Sequence, residues 1–171
     1  FLPRVRAFEA KVRDATELLA SLPARARRAP LRARVAFHSP CHLGHAQGVR
    51  AQPRQLLRAV PRLRLHEIAD AEVCCGSAGV WNVLHPGPAR ELGERKARDI
   101  LATGADLLVT ANPGCLMHLA ASVRHLGGRI DLVHIASVLD ASIRGLPVGS
   151  LRSGPPRQNP APSRPPNGEV T

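Results

Sequence analysis

Aromatic side chains are almost missing from this chain of 171 residues, which has no tyrosine, one tryptophan and three phenylalanines. A core must therefore be built from Leu, Val, Ile and Ala, and the Gly/aromatic pattern of an RNA-binding sheet is excluded. Long apolar runs are missing too. None approaches the ~20 residues that span a bilayer, and the chain does not open with the charged start and continuous apolar stretch of a secretory leader. Lysine is nearly absent, with only Lys11 and Lys96, so arginine carries the formal charge of +11. The arginines crowd the first turns (Arg4, Arg6, Arg13), the segment Arg25 to Arg34 and the last twenty residues. Ala, Pro and Gly are also abundant, so a compositional bias toward Arg explains the charge, and no nucleic-acid partner is expected. An initial methionine is missing as well. The chain starts at Phe1 directly in a helical pattern, which reads as the carboxyl-terminal part of something longer.

Cysteine is sparse but ordered. The four thiols are Cys41, the adjacent pair Cys74-Cys75 and Cys115. Each of the three positions follows an apolar, strand-like run where a loop or helix should begin. Three segments far apart in sequence thus bring thiols to one edge of a sheet, the layout of a soft-metal or iron–sulfur site. Without a secretory leader a reducing compartment is expected, where disulfides are disfavoured and metal or redox use is favoured. No C-x-x-C pair is present, so the spacing is neither that of a zinc finger nor that of a ferredoxin. The vicinal pair could alternatively close a strained, reducible disulfide, although Cys41 and Cys115 would then lack a purpose. A single cysteine nucleophile is a weaker reading, because four neighbouring thiols compete to bind metal.

Along the chain, Leu2, Val5, Phe8, Val12, Ala15, Leu18, Leu19 and Leu22 recur at steps of three and four, predicting an amphipathic helix over residues 1–23, closed by Pro23. Residues 24–32 read as an Arg/Pro linker. A first strand is expected at Ala33 to Phe37, a helix at Gly48 to Val60, and a second strand through Leu63, Leu65 and Ile68. The next helix opens at Pro86 and Pro88, carries Glu91/Arg95 and Glu94/Arg98 pairs, and stops at Gly104. Asp106 to Thr110 is a continuous apolar run of the buried parallel type. Asn112 and Pro113 suit the N-cap and first turn of a helix reaching Leu126. Ile130 to Ile135 forms a fourth strand and Ala136 to Ile143 a closing helix. Residues 33–146 then make one domain, with a tail over residues 147–171 expected to be disordered. The fold class is α/β: an open, mostly parallel sheet of about four strands with flanking helices.

In such a sheet the functional crevice lies outside the carboxyl ends of the strands. Cys41, Cys74, Cys75 and Cys115 are placed there as metal ligands, with His134 at the end of the fourth strand. Cys115 falls in the first turn of its helix, where the dipole favours a thiolate. Gly76 and Gly79 let the backbone turn sharply around a bulky centre and can aim amides at its sulfurs, and both are assigned to the cofactor site. No catalytic residue is assigned. His42 and His45 follow Cys41 and could cap a loop; His45, His66, His85 and His125 are not read as ligands. His118, in Cys-x-x-His spacing with Cys115, could share a metal, but it starts a full helical turn away and is read as a neighbour.

The stretches His38-Ser39-Pro40-Cys41-His42-Leu43, Cys74-Cys75-Gly76-Ser77-Ala78-Gly79 and Asn112-Pro113-Gly114-Cys115-Leu116-Met117 together resemble the cysteine-rich CCG domain. Within that family the wording is most similar to the carboxyl-terminal part of the glycolate oxidase iron–sulfur subunit, including Gly93-Glu94-Arg95-Lys96-Ala97-Arg98 and Thr103-Gly104-Ala105-Asp106. The resemblance runs from about Val35 to Asp140. It implies an electron-transfer subunit carrying an iron–sulfur cluster of 4Fe-4S type, in a cytoplasmic complex peripheral to the inner membrane. It also implies partner subunits with FAD that oxidise a 2-hydroxy acid, and a membrane quinone acceptor. The chain departs from the full pattern, which ends in C-x-x-C, because position 118 is His; some branches also lack that last cysteine. The alternative, from another class, is a structural zinc/thiol or subunit-docking domain without a redox role.

Overall fold

The computed structural model describes residues 1–152. Four strands, β1 (Ala33–His38), β2 (Leu63–His66), β3 (Leu107–Thr110) and β4 (Asp131–His134), form one sheet in the order β2-β1-β3-β4, every pair parallel. The chain winds outward from β1 to β2, then returns across β1 to build β3 and β4. The order therefore reverses between β1 and β3, and the crevice of an open α/β sheet opens at such a switch point. Register places His38 beside Thr110 and Thr110 beside His134, so these three residues line the carboxyl edge.

Strand alternation sorts the core into two halves. Val35, Phe37, Leu107 and Val109 face one side, where α3 (Ala51–Arg58) contributes Leu56 and Leu57 and α7 (Ile135–Arg144) contributes Val138 and Leu139. Ala36 and Leu108 face the other, against Ile100 of α5 (Pro86–Ala102) and Cys115 and Leu119 of α6 (Pro113–His125). Helix α6 begins as its sequence predicts. Asn112 caps it, its side-chain oxygen accepting from the Cys115 amide at 2.9 Å, and Pro113 takes the first turn, where a missing N–H costs nothing.

The amino-terminal region departs from the single helix expected over residues 1–23. Two helices form, α1 (Leu2–Glu9) and α2 (Ala15–Ser21). Asp14 starts the second, its carboxylate accepting from the Thr16 amide at 2.8 Å, and such a cap marks an amino terminus rather than a helix interior. Helix α1 buries no residue, so its apolar stripe has nothing to pack against, whereas α2 sets Ala20 against the core.

The Arg/Pro stretch is a pinned strap. Ala29 exchanges hydrogen bonds with Ser142, Arg28 donates to the Leu56 carbonyl at 2.7 Å, and Leu31 is buried. At the other end, Val148–Leu151 forms a short 3-10 turn that buries Leu151, which corrects the expectation of disorder for residues 147–152. The rest of that expectation, residues 153–171, lies outside the described residues. Of the two helical ion pairs expected in α5, Glu94 and Arg98 meet at 3.3 Å, while Arg95 reaches out to Asp70 at 2.5 Å. A shorter helix, α4 (Trp81–Leu84), precedes α5, and a π-helical turn, His42–Ala46, follows Cys41. Among the described residues no helix is long and apolar enough to cross a membrane.

Candidate metal centre

Three loops leaving the carboxyl edge bring the four thiols together. Cys41 follows β1 and opens the π-helical turn, a rare distortion concentrated at functional sites. Cys74 and Cys75 come from the loop after β2, and Cys115 from the first turn of α6 after β3. The outer tier is half-buried, with the Cys41 and Cys74 sulfurs 3.8 Å apart. The inner tier, Cys75 and Cys115, is buried on the α5/α6 side of the sheet. The tiers adjoin, since Cys74 and Cys75 are consecutive and the Cys75 and Cys115 sulfurs lie within 4.8 Å of each other.

The crowding has an electrostatic consequence. The hydrogen bond with Cys115, together with burial, pushes the Cys75 thiol up to about 12. The hydrogen bond with Cys75 and burial push Cys74 up strongly, and burial followed by the neighbouring Cys74 raises Cys41. Several thiolates cannot coexist in so small and dry a volume unless a cation replaces their protons.

The loop that presents the pair is shaped for close approach. Gly76 has φ +90°, and its amide donates to the Cys74 sulfur at 3.3 Å. A Cβ at this position would stand 2.4 Å from the Ala89 carbonyl oxygen, so the loop lies flat on the start of α5 only because residue 76 is glycine. Gly79 also turns with positive φ but into open space. Asp70 fixes the entry to this loop. Its carbonyl accepts from the Lys96 ammonium and its carboxylate pairs with Arg95, both on α5. Lys96 is itself only 1% exposed; burial lowers its pKa, while Asp99, Asp70 and Cys75 pull it back up. A buried cation thus stands near the thiols.

The histidines divide sharply. His118 donates from Nε2 to the Ala89 carbonyl at 3.0 Å and packs over Gly93, behind the cysteine loop. His134 accepts from the Ala136 amide as the N-cap of α7, and His45 bonds the Glu72 carbonyl at 3.1 Å. His38 was not among the sequence candidates, yet it enters the site. Its nearest ring nitrogen and the Cys75 and Cys115 sulfurs all lie within 4.8 Å of one another, and all three residues are buried. Among the described residues both ring nitrogens lack hydrogen-bond partners, as does the hydroxyl of Thr110 beside it. Burial, and then the Lys96 charge, lower the His38 pKa to about 4, which keeps the imidazole neutral and a lone pair free. The signal for His38 was in the strand alternation, which puts it on the same face as Ala36, one step beyond the apolar run. The donor set fits a metal: soft thiolates, a neutral imidazole and orphaned buried polar atoms in one place.

This constellation of three cysteine-bearing loops on a parallel sheet defines a cysteine-rich domain, and the chain belongs to that family: the CCG "Cysteine-rich domain" profile matches residues 35–120. The chain is 35% identical over 107 residues to the "Probable glycolate oxidase iron-sulfur subunit" of Bacillus subtilis, covering 61% of this chain and 24% of that protein. To a fumarate reductase (CoM/CoB) subunit of Methanothermobacter marburgensis it is 35% identical over 133 residues, 77% of this chain and 27% of that one. To "Lactate utilization protein A" of Shouchella clausii it is 37% identical over 105 residues, 61% and 44% of the two chains. The chain therefore spans less than half the length of each of these relatives.

Proposed function

We propose that this chain is the cysteine-rich part of an iron–sulfur subunit in a glycolate oxidase-like 2-hydroxy acid dehydrogenase, an oxidoreductase in which electrons pass from a subunit bearing FAD toward a membrane quinone. The observation that carries the reading is the convergence of four thiols from three loops at the switch point of the sheet. Cys41, Cys74, Cys75 and Cys115 would hold an iron–sulfur cluster of 4Fe-4S type, and such a cluster, when bound, supplies a one-electron donor and acceptor. The chain's own residues set its surroundings. The Gly76 amide points at a sulfur, Gly79 completes the turn, and Lys96 offsets part of the negative charge that several thiolates bring. The loop and helix around the site also expose Val80, Val83, Leu84 and Met117, each 71–76% accessible, an apolar rim suited to docking the flavin subunit where electrons must cross. The complex would lie in the cytoplasm, peripheral to the inner membrane, with no nucleic-acid partner.

One observation favours a second reading, a structural zinc site. Ligands of one tetrahedral zinc stand about 3.3–3.8 Å apart, given bonds of ~2.0–2.3 Å, and the Cys41–Cys74 sulfur spacing of 3.8 Å falls at the thiolate end of that range. Anaerobic purification followed by iron, sulfide and zinc analysis separates the two. Matched iron and sulfide with broad visible absorption supports the electron-transfer reading; stoichiometric zinc without sulfide overturns it.

A further inference from the structure

The imidazole of this site is His38, not the His118 of the Cys-x-x-His spacing. His38 ends β1, is 1% exposed, and among the described residues has no partner for either Nδ1 or Nε2. Leaving a buried polar group unsatisfied is costly, so each such group calls for an explanation, a bound water or ion among them. The strand aims this ring toward the α5/α6 side, where Cys75 and Cys115 stand, and the three donor atoms fall within 4.8 Å of one another. His118, in contrast, has committed Nε2 to the Ala89 carbonyl, and Gly93 holds the ring against α5. His134 and His45 are likewise spent on backbone groups.

We propose that His38 is a direct nitrogen ligand of the metal centre, completing the inner tier with Cys75 and Cys115 so that the site is a mixed thiolate–imidazole one. The inference rests on the reading of these thiols as metal ligands. One ring nitrogen binds the metal, and the other requires an acceptor of the kind that orients metal-bound histidines. Thr110, the register neighbour of His38 on β3, brings a buried and equally unpartnered hydroxyl to the same edge. The departure at position 118 therefore does not leave the site one donor short, because the strand supplies a donor that the helix does not.

The test uses the full chain, metal-free and anaerobic, titrated with Co2+ alone as the probe. The wild-type chain should bind with thiolate-to-cobalt charge transfer, and His38→Ala should lose at least ~10–100-fold in affinity, as even outer-shell partners do. His118→Ala should bind as the wild type does. The cobalt-loaded wild type should show a nitrogen hyperfine coupling in pulsed EPR, and His38→Cys should retain binding, gain charge-transfer intensity and lose that coupling. That coupling keeps the test decisive if His38→Ala does not fold, and a merely structural histidine would not change it. Unaltered affinity in His38→Ala, or a nitrogen coupling that survives in His38→Cys, overturns the assignment alone. Failure of the wild-type chain to bind cobalt overturns the thiolate reading and this inference with it.

Discussion

The two faces of the sheet are built to different specifications. On the α3/α7 face, Val35, Phe37, Leu57, Leu107, Val109 and Val138 are at most 1% exposed and wholly apolar, reinforced by Leu31 and Leu151 from either end of the domain. On the α5/α6 face the apolar cluster is smaller, and two of its members are the thiols Cys75 and Cys115. Buried beside it are His38, Lys96, Thr110 and Ser122, a concentration of polar groups that an aliphatic core would not accept. The contrast shows a division of labour: one face supplies stability through packing, and the other gives up part of it to keep donors dry and oriented. Local rules fail most often where function resides.

That division can be broken most forcefully on the aliphatic side. Leu57→Ala should cost about 2–5 kcal/mol in chemical denaturation, as a fully buried leucine on a tight face, while metal uptake per folded molecule stays unchanged. Weakened uptake at full occupancy of the folded state would show the faces to be coupled rather than separate.

The reverse experiment is Gly76→Ala. Forcing a side chain into its positive φ costs roughly 1–3 kcal/mol, and the Cβ would also press on the Ala89 carbonyl from 2.4 Å. Here metal binding should fall along with stability, because the loop carrying Cys74 and Cys75 must lift off α5. A variant that loses stability and keeps wild-type binding would remove Gly76 from the site.

The smallest effect belongs to neither face. At the opposite edge of the sheet, the Arg34 side chain and amide hydrogen-bond Asp106 and hold its carboxyl below the usual aspartate value. With the folded pKa depressed, the unfolded chain binds more protons in that window. The contribution is therefore complete above the ordinary aspartate range and disappears as pH falls through the folded value. Asp106→Asn should flatten the acid limb of the stability curve slightly and leave metal binding untouched, since both partners are solvent-exposed and the pair is screened.

The strands and helices around the site were legible because their signals are local. The apolar run before Thr110, the Asn112-Pro113 start of α6 and the residues within each cysteine motif act over a few positions. The amino-terminal stripe misleads for the same reason. Periodicity over Leu2 to Leu22 records apolar residues, but whether a helix continues depends on a partner surface, and α1 has none. Asp14 was a visible cap signal that outranked the stripe.

By itself, the sequence determined which residue types reach the carboxyl edge, since parallel strands followed by loops can deliver Cys41, Cys74, Cys75 and Cys115 nowhere else. Only the tertiary structure decided which histidine joins them. Cys-x-x-His spacing favours His118, yet the packing of α5 on α6 gives its Nε2 to the Ala89 carbonyl. The pairing of β1 with β3 instead places His38 among the thiols with both nitrogens free. That outcome depends on contacts between residues dozens of positions apart, and on the exclusion of water from a buried ring, which no spacing along the chain encodes.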